Sequence, residues 1–414
     1  MTAVGFAYPA SAAALAELEG LFAEVDYLAL TPETLCVPTD GDFAPNDFWR
    51  HACALQQTHG LAAVGHATSL SPGGLDPADD ARRARALRRN AEALRAFGVD
   101  WYTDHLAVTA PGGEWAAQPL AVPACHHTVD RVREVLQAMQ DVCPDVGVEH
   151  TWWPFLLGPW HDDVALLANV VADDAWWILD VHNLYAHARN DGFGVADWLD
   201  RAPLHRVIEI HVAGGEDAPA QWVERPYRLD SHDQPVEPAV FELLATVLPR
   251  CPNLRGVTLE RREDTVRPGD GARLRGELQR IREIVEHAPA ATTSARSRQT
   301  LPAGDRDVLV RREQAIIDAL RTDPRRAAPQ DPDGARVAAR LIEKERFGRL
   351  LLGSPSASVW FDRDPASFAE AFGAYHVATP LRAFTPADEA RSFHAWARDG
   401  NDSGTSSRPL RRPS

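Results

Sequence analysis

The stretch ARRARALRRNAEALRAFGVDWYTDHLAV, residues 81–108, places a helical pattern directly before a strand-like run. In residues 81–97 the apolar side chains recur at the three-to-four-residue spacing of an amphipathic helix, whereas residues 100–108 are rich in aromatic and β-branched types. The same order of helix and strand returns in residues 129–150. Strands that alternate with helices in this way are typical of βαβ units, so the sequence predicts a parallel sheet.

Eight short apolar runs of this kind predict the strands of the sheet. Eight βα units in a segment of this length match a closed barrel in both number and length. A doubly wound open sheet is the structural alternative for the same pattern. We therefore expect the fold class α/β, in the form of a (β/α)8 TIM barrel. The runs occupy residues 4–8, 26–30, 61–66, 100–108, 145–150, 176–182, 206–213 and 256–260.

The composition changes near residue 287, which divides the chain into four parts. We expect the barrel in residues 1–286, followed by a linker in residues 287–306, which are rich in Ala, Thr, Ser, Pro and Arg and have no periodicity. Residues 307–399 are expected to form a small C-terminal all-α appendage, and residues 400–414 a disordered tail. The helical patterns of the appendage cover residues 308–321, 334–352, 365–375 and 386–399.

Charge and composition exclude several classes of partner. The 414 residues carry a formal net charge of −16, and such a surface repels a phosphate backbone, so we expect no nucleic-acid partner. The chain has no run of about 18 apolar residues and does not open on a basic segment followed by an apolar stretch, so we expect neither a membrane span nor a secretory signal. The five cysteines are odd in number and lack CxxC spacing, which fits a reducing cytoplasm.

Side chains that bind metals fall at the ends of six predicted strands. Because the carboxyl ends of barrel strands surround one cavity, these side chains should point into the same space. So many carboxylates would raise each other's pKa values, and bound cations remove that repulsion. A single strand histidine is more often a hydrogen-bonded core residue, but repetition at one end of the barrel favours a metal site. The residues are His66, His105, Glu149, Asp180, Asn183, Glu209, His211 and Glu260, with Asp230 and His232 in the loop after the seventh strand.

The ligand types narrow the choice of metal. Imidazole and carboxylate groups together suit iron, manganese or zinc better than calcium or magnesium. Because the set exceeds what one ion needs, we expect two or three ions. Glu209 alternates with His211 on one strand face, which leaves open that one of the two is structural. His150 and His182 stay ambiguous, because strand alternation points each away from its neighbouring carboxylate unless the strand has already ended there.

The stretches around these residues also form an ordered series. It reads TPETL (31–35), GHATSLS (65–71), DHLAVT (104–109), GVEH (147–150), LDVHNLYAHARNDG (179–192), IEIHVAGG (208–215), DSHDQPV (230–236) and TLERRE (258–263). In order and spacing, the series resembles the family of multinuclear non-haem iron-dependent oxidative enzymes, over roughly residues 4–265. No single stretch is specific, whereas the ordered set is.

The resemblance implies a cluster of two or three iron ions of mixed Fe(II)/Fe(III) state. It implies that Glu33, Asp104 and Glu209 orient ligands rather than bind metal. The chain departs from the family pattern at His150, and in a long, charged loop that carries Trp222 before Asp230. The implied ligands are His66, His105 and Glu149 for one iron, Glu149, Asp180, His211 and Glu260 for a second, and Asn183, Asp230 and His232 for a third, more weakly held metal.

The resemblance further implies a dioxygen-dependent oxidation of a ribosomally synthesised precursor peptide, often at a cysteine, in natural-product biosynthesis. Family members commonly work with a partner protein that binds the leader of the precursor, and the helical appendage could have a related task or pack on the barrel. Two other functions stay open. One is a divalent-metal TIM-barrel hydrolase or isomerase that uses zinc or manganese, although the near absence of lysine disfavours an isomerase. The other is a binding module without turnover.

Overall fold

Eight parallel strands close into one barrel, in which each strand pairs with its neighbours in chain order. The computed structural model describes residues 2–39, 43–172, 174–292 and 299–402. The first strand pairs with the eighth, Ala3 opposite Gly256, so the sheet has no free edge. This confirms the predicted (β/α)8 barrel over the open sheet. The strands are Ala3–Ala7 (β1), Tyr27–Leu30 (β2), Ala62–Ala67 (β3), Tyr102–His105 (β4), Val146–Glu149 (β5), Trp176–Asp180 (β6), Val207–Val212 (β7) and Gly256–Leu259 (β8).

Helices follow every strand and form the outer layer of the barrel. Their buried faces carry the apolar side chains whose spacing predicted them, as Ala86, Ala93, Leu94 and Phe97 show in the third helix. A short antiparallel pair, Cys36–Pro38 with Phe43–Pro45, follows β2 and was not predicted. The barrel helices are Ala12–Leu18 (α1), Asp47–His59 (α2), Asp80–Phe97 (α3), His126–Met139 (α4), Trp160–Val170 (α5), Val181–Asp191 (α6), Val195–Arg201 (α7), Pro238–Val247 (α8) and Asp270–His287 (α9).

Inside the barrel, a tyrosine lies across the space beneath the mouth. The ring of Tyr27 is buried against Gly5 and Gly256, where any Cβ would collide with it. Its hydroxyl donates to Glu209 at 3.1 Å. The two glycines therefore leave room for an aromatic ring that supports a buried carboxylate from below.

The C-terminal region is all helical, as predicted. The weak pattern of residues 355–363 had not indicated the helix that forms there. Of the predicted linker and tail, residues 293–298 and 403–414 lie outside the described residues, and the division into domains stays a prediction. Across the described ranges, no helix is both long and apolar enough to cross a membrane. The five helices are Arg306–Thr322 (α10), Pro332–Gly353 (α11), Pro355–Arg363 (α12), Pro365–Ala378 (α13) and Pro386–Asp402 (α14).

The C-terminal helices pack against loops at the carboxyl end of the barrel. Ile316 and Ala335, from α10 and α11, belong to the same apolar cluster as Val108 of the loop after β4. Within that loop, Glu114 accepts a hydrogen bond from the backbone N of Leu381 at 2.9 Å. The helical region therefore lies beside the barrel mouth rather than at its amino end.

Glu313 on α10 generates a prediction about stability and pH. Its Oε1 accepts from the backbone N of Leu75 at 2.9 Å, and burial raises the pKa of its carboxyl to about 7. The folded chain therefore holds this proton more tightly than the unfolded chain, and the associated stability is lost as the pH rises from about 4 through 7. Glu313→Gln keeps the acceptor and cannot ionise. We expect it to raise the free energy of unfolding at pH 8 by about 3 kcal/mol, with little effect at pH 4.

The measurement is chemical denaturation of the metal-free protein at pH 4 to 8. Glu286→Gln, at an exposed position on α9, is the control and should follow the wild-type curve. Parallel curves for Glu313→Gln and wild type at all pH values would contradict the prediction.

Candidate metal centre

All nine predicted metal ligands meet at the carboxyl end of the barrel. His66 and His105 come from β3 and β4, and Glu149, Asp180 and His211 from β5, β6 and β7. Glu260 follows β8, and Asp230 and His232 lie in the loop after β7. Seven of the nine, together with His182, form three groups, and the ligand atoms within each group lie within 4.8 Å of one another. Long-range pairing of the strands, rather than proximity in sequence, thus assembles the site.

The first group is centred on Glu149. Its Oε2 lies 2.9 Å from His66 Nε2, 3.5 Å from His105 Nε2 and 3.7 Å from His211 Nδ1. The other nitrogen of His66, Nδ1, lies 3.0 Å from Thr103 Oγ1, which leaves Nε2 facing the group. One carboxylate oxygen therefore lies within 3.7 Å of three imidazole nitrogens.

The second group joins Asp180, His211 and Glu260. His211 Nδ1 is 3.3 Å from Glu260 Oε1. Asp180 Oδ1 accepts the backbone N–H of Asn183 at 2.9 Å and so caps α6, because β6 passes directly into that helix. The second oxygen of Asp180 is buried and has no hydrogen-bond partner in the described part of the chain. That oxygen is free to bind a cation.

The third group contains a residue that the sequence left undecided. Asp230 Oδ1 lies 2.6 Å from His232 Nε2 and 3.2 Å from His182 Nδ1. His182 joins the group because β6 ends at Asp180, so the alternation of a strand no longer applies two residues later. A helix N-cap at Asp180 was the signal that could have shown this. Asn183, predicted for this group, instead donates its amide to Glu149 Oε1 at 2.9 Å.

The charges at the mouth compensate each other only in part. Although burial disfavours the imidazolium, the carboxylates of Glu260 and Glu209 raise the pKa of His211 well above its usual value. The neighbouring imidazoles, opposing burial, lower the pKa of Glu260 to about 2. At Asp180, burial followed by repulsion from Asp230, Glu149 and Glu260 outweighs the attraction of His232 and raises the pKa well above the usual range.

The residues present fit a metal cluster. The buried polar atoms that lack a hydrogen-bond partner, counted among the described residues only, include Asp180 Oδ2, His182 Nε2 and Asn183 Oδ1. Unpartnered buried polar atoms are costly, and positive ions among these donors would satisfy them. Nitrogen and carboxylate oxygen donors suit iron, manganese or zinc.

The three residues expected to orient ligands lie at different depths. Glu209 is buried beneath His211, 3.5 Å from its Nε2, and accepts hydrogen bonds from Trp101 Nε1 at 2.6 Å and from Thr258. Asp104 accepts from the backbone N of Leu70 at 2.9 Å.

Glu33 contacts the same loop after β3. It accepts from Thr68 N at 3.2 Å and lies 3.2 Å from Arg89 Nη2. Glu209 is thus placed to orient a histidine directly, whereas Asp104 and Glu33 hold the loop that begins just after His66. These roles stay proposals.

His150, where the sequence departs from the family pattern, faces away from the centre. It packs against Trp153 and Trp198, with ring centroids 5.4 and 4.9 Å away. Burial, with a smaller effect of His187, lowers the pKa of its imidazole to about 3. His150 is therefore a neutral residue of the layer between barrel and helices.

Fold and site together define a TIM-barrel protein with a candidate multinuclear metal centre. Residues 13–286 match the family model described as RiPP precursor modification enzyme MbnB/TglH/ChrH, where RiPP denotes a ribosomally synthesised and post-translationally modified peptide. The chain belongs to this family. The matched range contains every predicted ligand and ends before the C-terminal helices.

Relatives named UPF0276 protein occur in several bacteria, and that name states no activity. The one from Streptomyces avermitilis is 31% identical over 247 residues, which is 56% of this chain and 47% of the relative. The one from Acaryochloris marina is 30% identical over 45% of this chain and 64% of its own length, and the one from Anaeromyxobacter sp. is 31% identical over 56% and 78%. This chain therefore spans about half the length of the first relative and under two thirds of the second.

A solved structure of D-psicose 3-epimerase with D-tagatose, from Clostridium cellulolyticum H10, is similar at a TM-score of 0.47 and 13% identity. The similarity covers 70% of this chain and all of the epimerase. A likeness this distant has no bearing on function.

The oxygen of Asp180 that lacks a hydrogen-bond partner leads to a prediction about stability and metal content. Removing the charge should stabilise the metal-free protein but weaken metal binding. Asp180→Asn keeps the oxygen that caps α6 and removes the charge. Without metal, we expect the variant to be more stable than wild type by roughly 1–3 kcal/mol, since an unsatisfied buried group is relieved. With metal, we expect it to bind fewer ions and to gain less stability from them.

Asp163→Asn is the matched control, because Asp163 on α5 is also buried with an unpartnered oxygen among the described residues but lies outside the three groups. It should gain stability without losing metal. Thermal unfolding and elemental analysis of both variants decide the matter. Full metal content in Asp180→Asn would contradict its assignment as a ligand.

Proposed function

We propose that the protein catalyses the iron- and dioxygen-dependent oxidation of a ribosomally synthesised precursor peptide, at a cysteine or another side chain. The observation that carries the proposal is the family match, because residues 13–286 include all nine predicted ligands and the family acts on such precursors. The three ligand groups at the mouth support it, since their donor types suit iron. A cytoplasmic location is part of the proposal.

In this proposal, two or three iron ions of mixed Fe(II)/Fe(III) state are held at the mouth. Glu149 is shared between two ions, and Asp230 holds a third together with His232. The geometry favours His182 for that third ion as well, while Asn183 orients Glu149. The remaining ligands are His66 and His105 for the first ion and Asp180, His211 and Glu260 for the second.

When bound, iron would supply the redox chemistry with dioxygen and a position for a substrate donor such as a thiolate. The chain's part is to hold the donors in place. Glu209 lies at Nε2 of His211 and Thr103 at Nδ1 of His66, so each contact leaves the opposite nitrogen for the metal. Because the barrel buries these contacts, the donors are arranged before any ligand binds.

The substrate would approach over the less buried ligands. The side chains of His105 and His232 are 19% and 24% exposed, whereas His211 is fully buried. A peptide that reaches the mouth would therefore meet the rim formed by His105, His232 and Glu260 first. The precursor peptide is the proposed partner, and a separate leader-binding protein is proposed as a second.

Metal analysis of protein purified without oxygen or chelator tests the proposal. We expect two to three irons per chain, with an electron paramagnetic resonance signal of a mixed-valent cluster. Zinc or manganese alone, with no activity after iron reconstitution, would instead support a hydrolase or isomerase. A precursor encoded beside the gene should change mass in the presence of the iron protein and dioxygen, and not without dioxygen.

His66→Ala gives the matching variant test. We expect it to lose iron and to abolish peptide modification, because it removes one of three imidazoles around Glu149. Its circular dichroism spectrum should stay that of wild type. His161→Ala, at an exposed position on α5, is the control and should keep both iron and activity. Full iron retention by His66→Ala would rule out the first ligand group.

A further inference from the structure

Residues 213–237 form the segment between β7 and α8. Within it, residues 216–229 form a hairpin-like loop, and Asp230 and His232 follow directly after this loop. Ala218 N donates to Tyr227 O at 2.7 Å, and Leu229 N donates to Glu216 O at 2.9 Å. The part of this segment that precedes Asp230 is the long, charged loop with Trp222 at which the chain departs from the pattern of the family it resembles. The positions of Asp230 and His232 therefore depend on what holds the hairpin.

The first turn of α11 holds the tip of the hairpin through one carboxylate. Asp333 Oδ1 accepts the backbone N–H of Glu224 at 2.9 Å, and its Oδ2 accepts that of Arg225 at 3.2 Å. Asp333 is 5% exposed, so water competes little for these bonds. The next residue, Gly334, lies so close to the oxygens of Pro154 and Tyr227 that a Cβ would collide with both. The helix is thus fitted against the mouth loops.

Neighbouring side chains extend this contact. Arg336 Nε donates to Trp222 O at 3.1 Å, and Arg225 Nη2 lies 3.1 Å from Asp331 Oδ1. Val337 of α11 is fully buried in an apolar cluster with residues of the 213–237 segment. The hairpin members of that cluster are Ala218, Tyr227 and Leu229, and Trp222, Val223 and Leu341 pack against it.

The base of the segment is held separately and is strained. Asn190 of α6 makes two hydrogen bonds to the backbone of Arg228, at 2.8 and 2.9 Å. His232 has a φ of +51°, in the left-handed region that a residue with a Cβ rarely adopts, and its carbonyl accepts from Arg262 N at 2.9 Å. Such a conformation is unfavourable for a residue with a Cβ and persists only where the surroundings impose it.

We propose that α11 is a clamp that fixes the 213–237 segment and thereby the third ligand group, with Asp333 as the positioning residue. The clamp lies outside residues 13–286, the part of the chain that the family model matches. The part concerning metal rests on the proposed function. The part concerning the segment does not.

The test compares Asp333→Asn with Asp307→Asn in the full-length, metal-free protein. The two aspartates are the second residues of α11 and α10, so the control makes the same change at the same helix position, on an exposed residue. Hydrogen exchange of amides in residues 213–237 should be about tenfold faster in Asp333→Asn, as expected from the loss of one charge-assisted hydrogen bond, and unchanged in Asp307→Asn. Unchanged exchange in Asp333→Asn would overturn the clamp.

Metal content tests the positioning role. His232→Ala defines the metal that the third group holds, and Asp333→Asn should lose that amount, with no further loss in the double variant. Faster exchange without metal loss, where His232→Ala does lose metal, would overturn positioning of ligands by Asp333. Full retention by His232→Ala would remove the third ion from the proposed function, and the exchange result would still decide the clamp.

Arg336→Gln is a second variant of the same contact, for the case that Asp333→Asn does not fold. It removes the contacts of Arg336 with Trp222 O, Glu224 and the Asp333 carboxylate but keeps that carboxylate as an acceptor for Glu224 N and Arg225 N. Exchange in residues 213–237 should therefore rise by a smaller factor. No rise in either variant, with native circular dichroism, would count against the clamp.

Discussion

The crowding of buried carboxylates at the barrel mouth is the constraint on which the site depends. Glu149, Asp230 and Glu260 lie close enough to Asp180 to raise its pKa, and the nearby imidazoles compensate only part of this charge. A buried carboxylate without a partner would protonate or destabilise the fold. Bound cations would resolve the conflict, so metal binding and the stability of this region would be linked.

The barrel meets this constraint because its parallel strands end on one side. No strand contributes more than one candidate ligand directly, and pairing between neighbouring strands sets the spacing of these side chains. Beneath them, Glu209 receives hydrogen bonds from Tyr27 and Trp101, so a negative charge can lie next to His211 in the interior. The ligands thus rest on a rigid scaffold, while the loop that bears Asp230 and His232 needs outside support.

The order of strands and helices could be predicted because each element has its own local hydrophobic periodicity. Each of the eight predicted runs contains or overlaps an observed strand, since β-branched and apolar runs between amphipathic helices leave few alternatives. The short helix α12 was not predicted, because nine residues are too few to show a helical period. The position of His182 beside Asp230 was not predicted, because the direction of its side chain depends on where β6 ends. Element boundaries are the least certain feature of a sequence pattern.

By itself, the sequence determined the barrel, the nine candidate ligands and their common end, because residue type and position in a βα unit are local properties. Only the tertiary structure decided that Asn183 contacts Glu149, that His182 joins Asp230, and that Asp333 reaches the tip of the 213–237 segment. These contacts join residues 34 to 109 positions apart. They carry no periodic signal, because they arise from how finished elements pack.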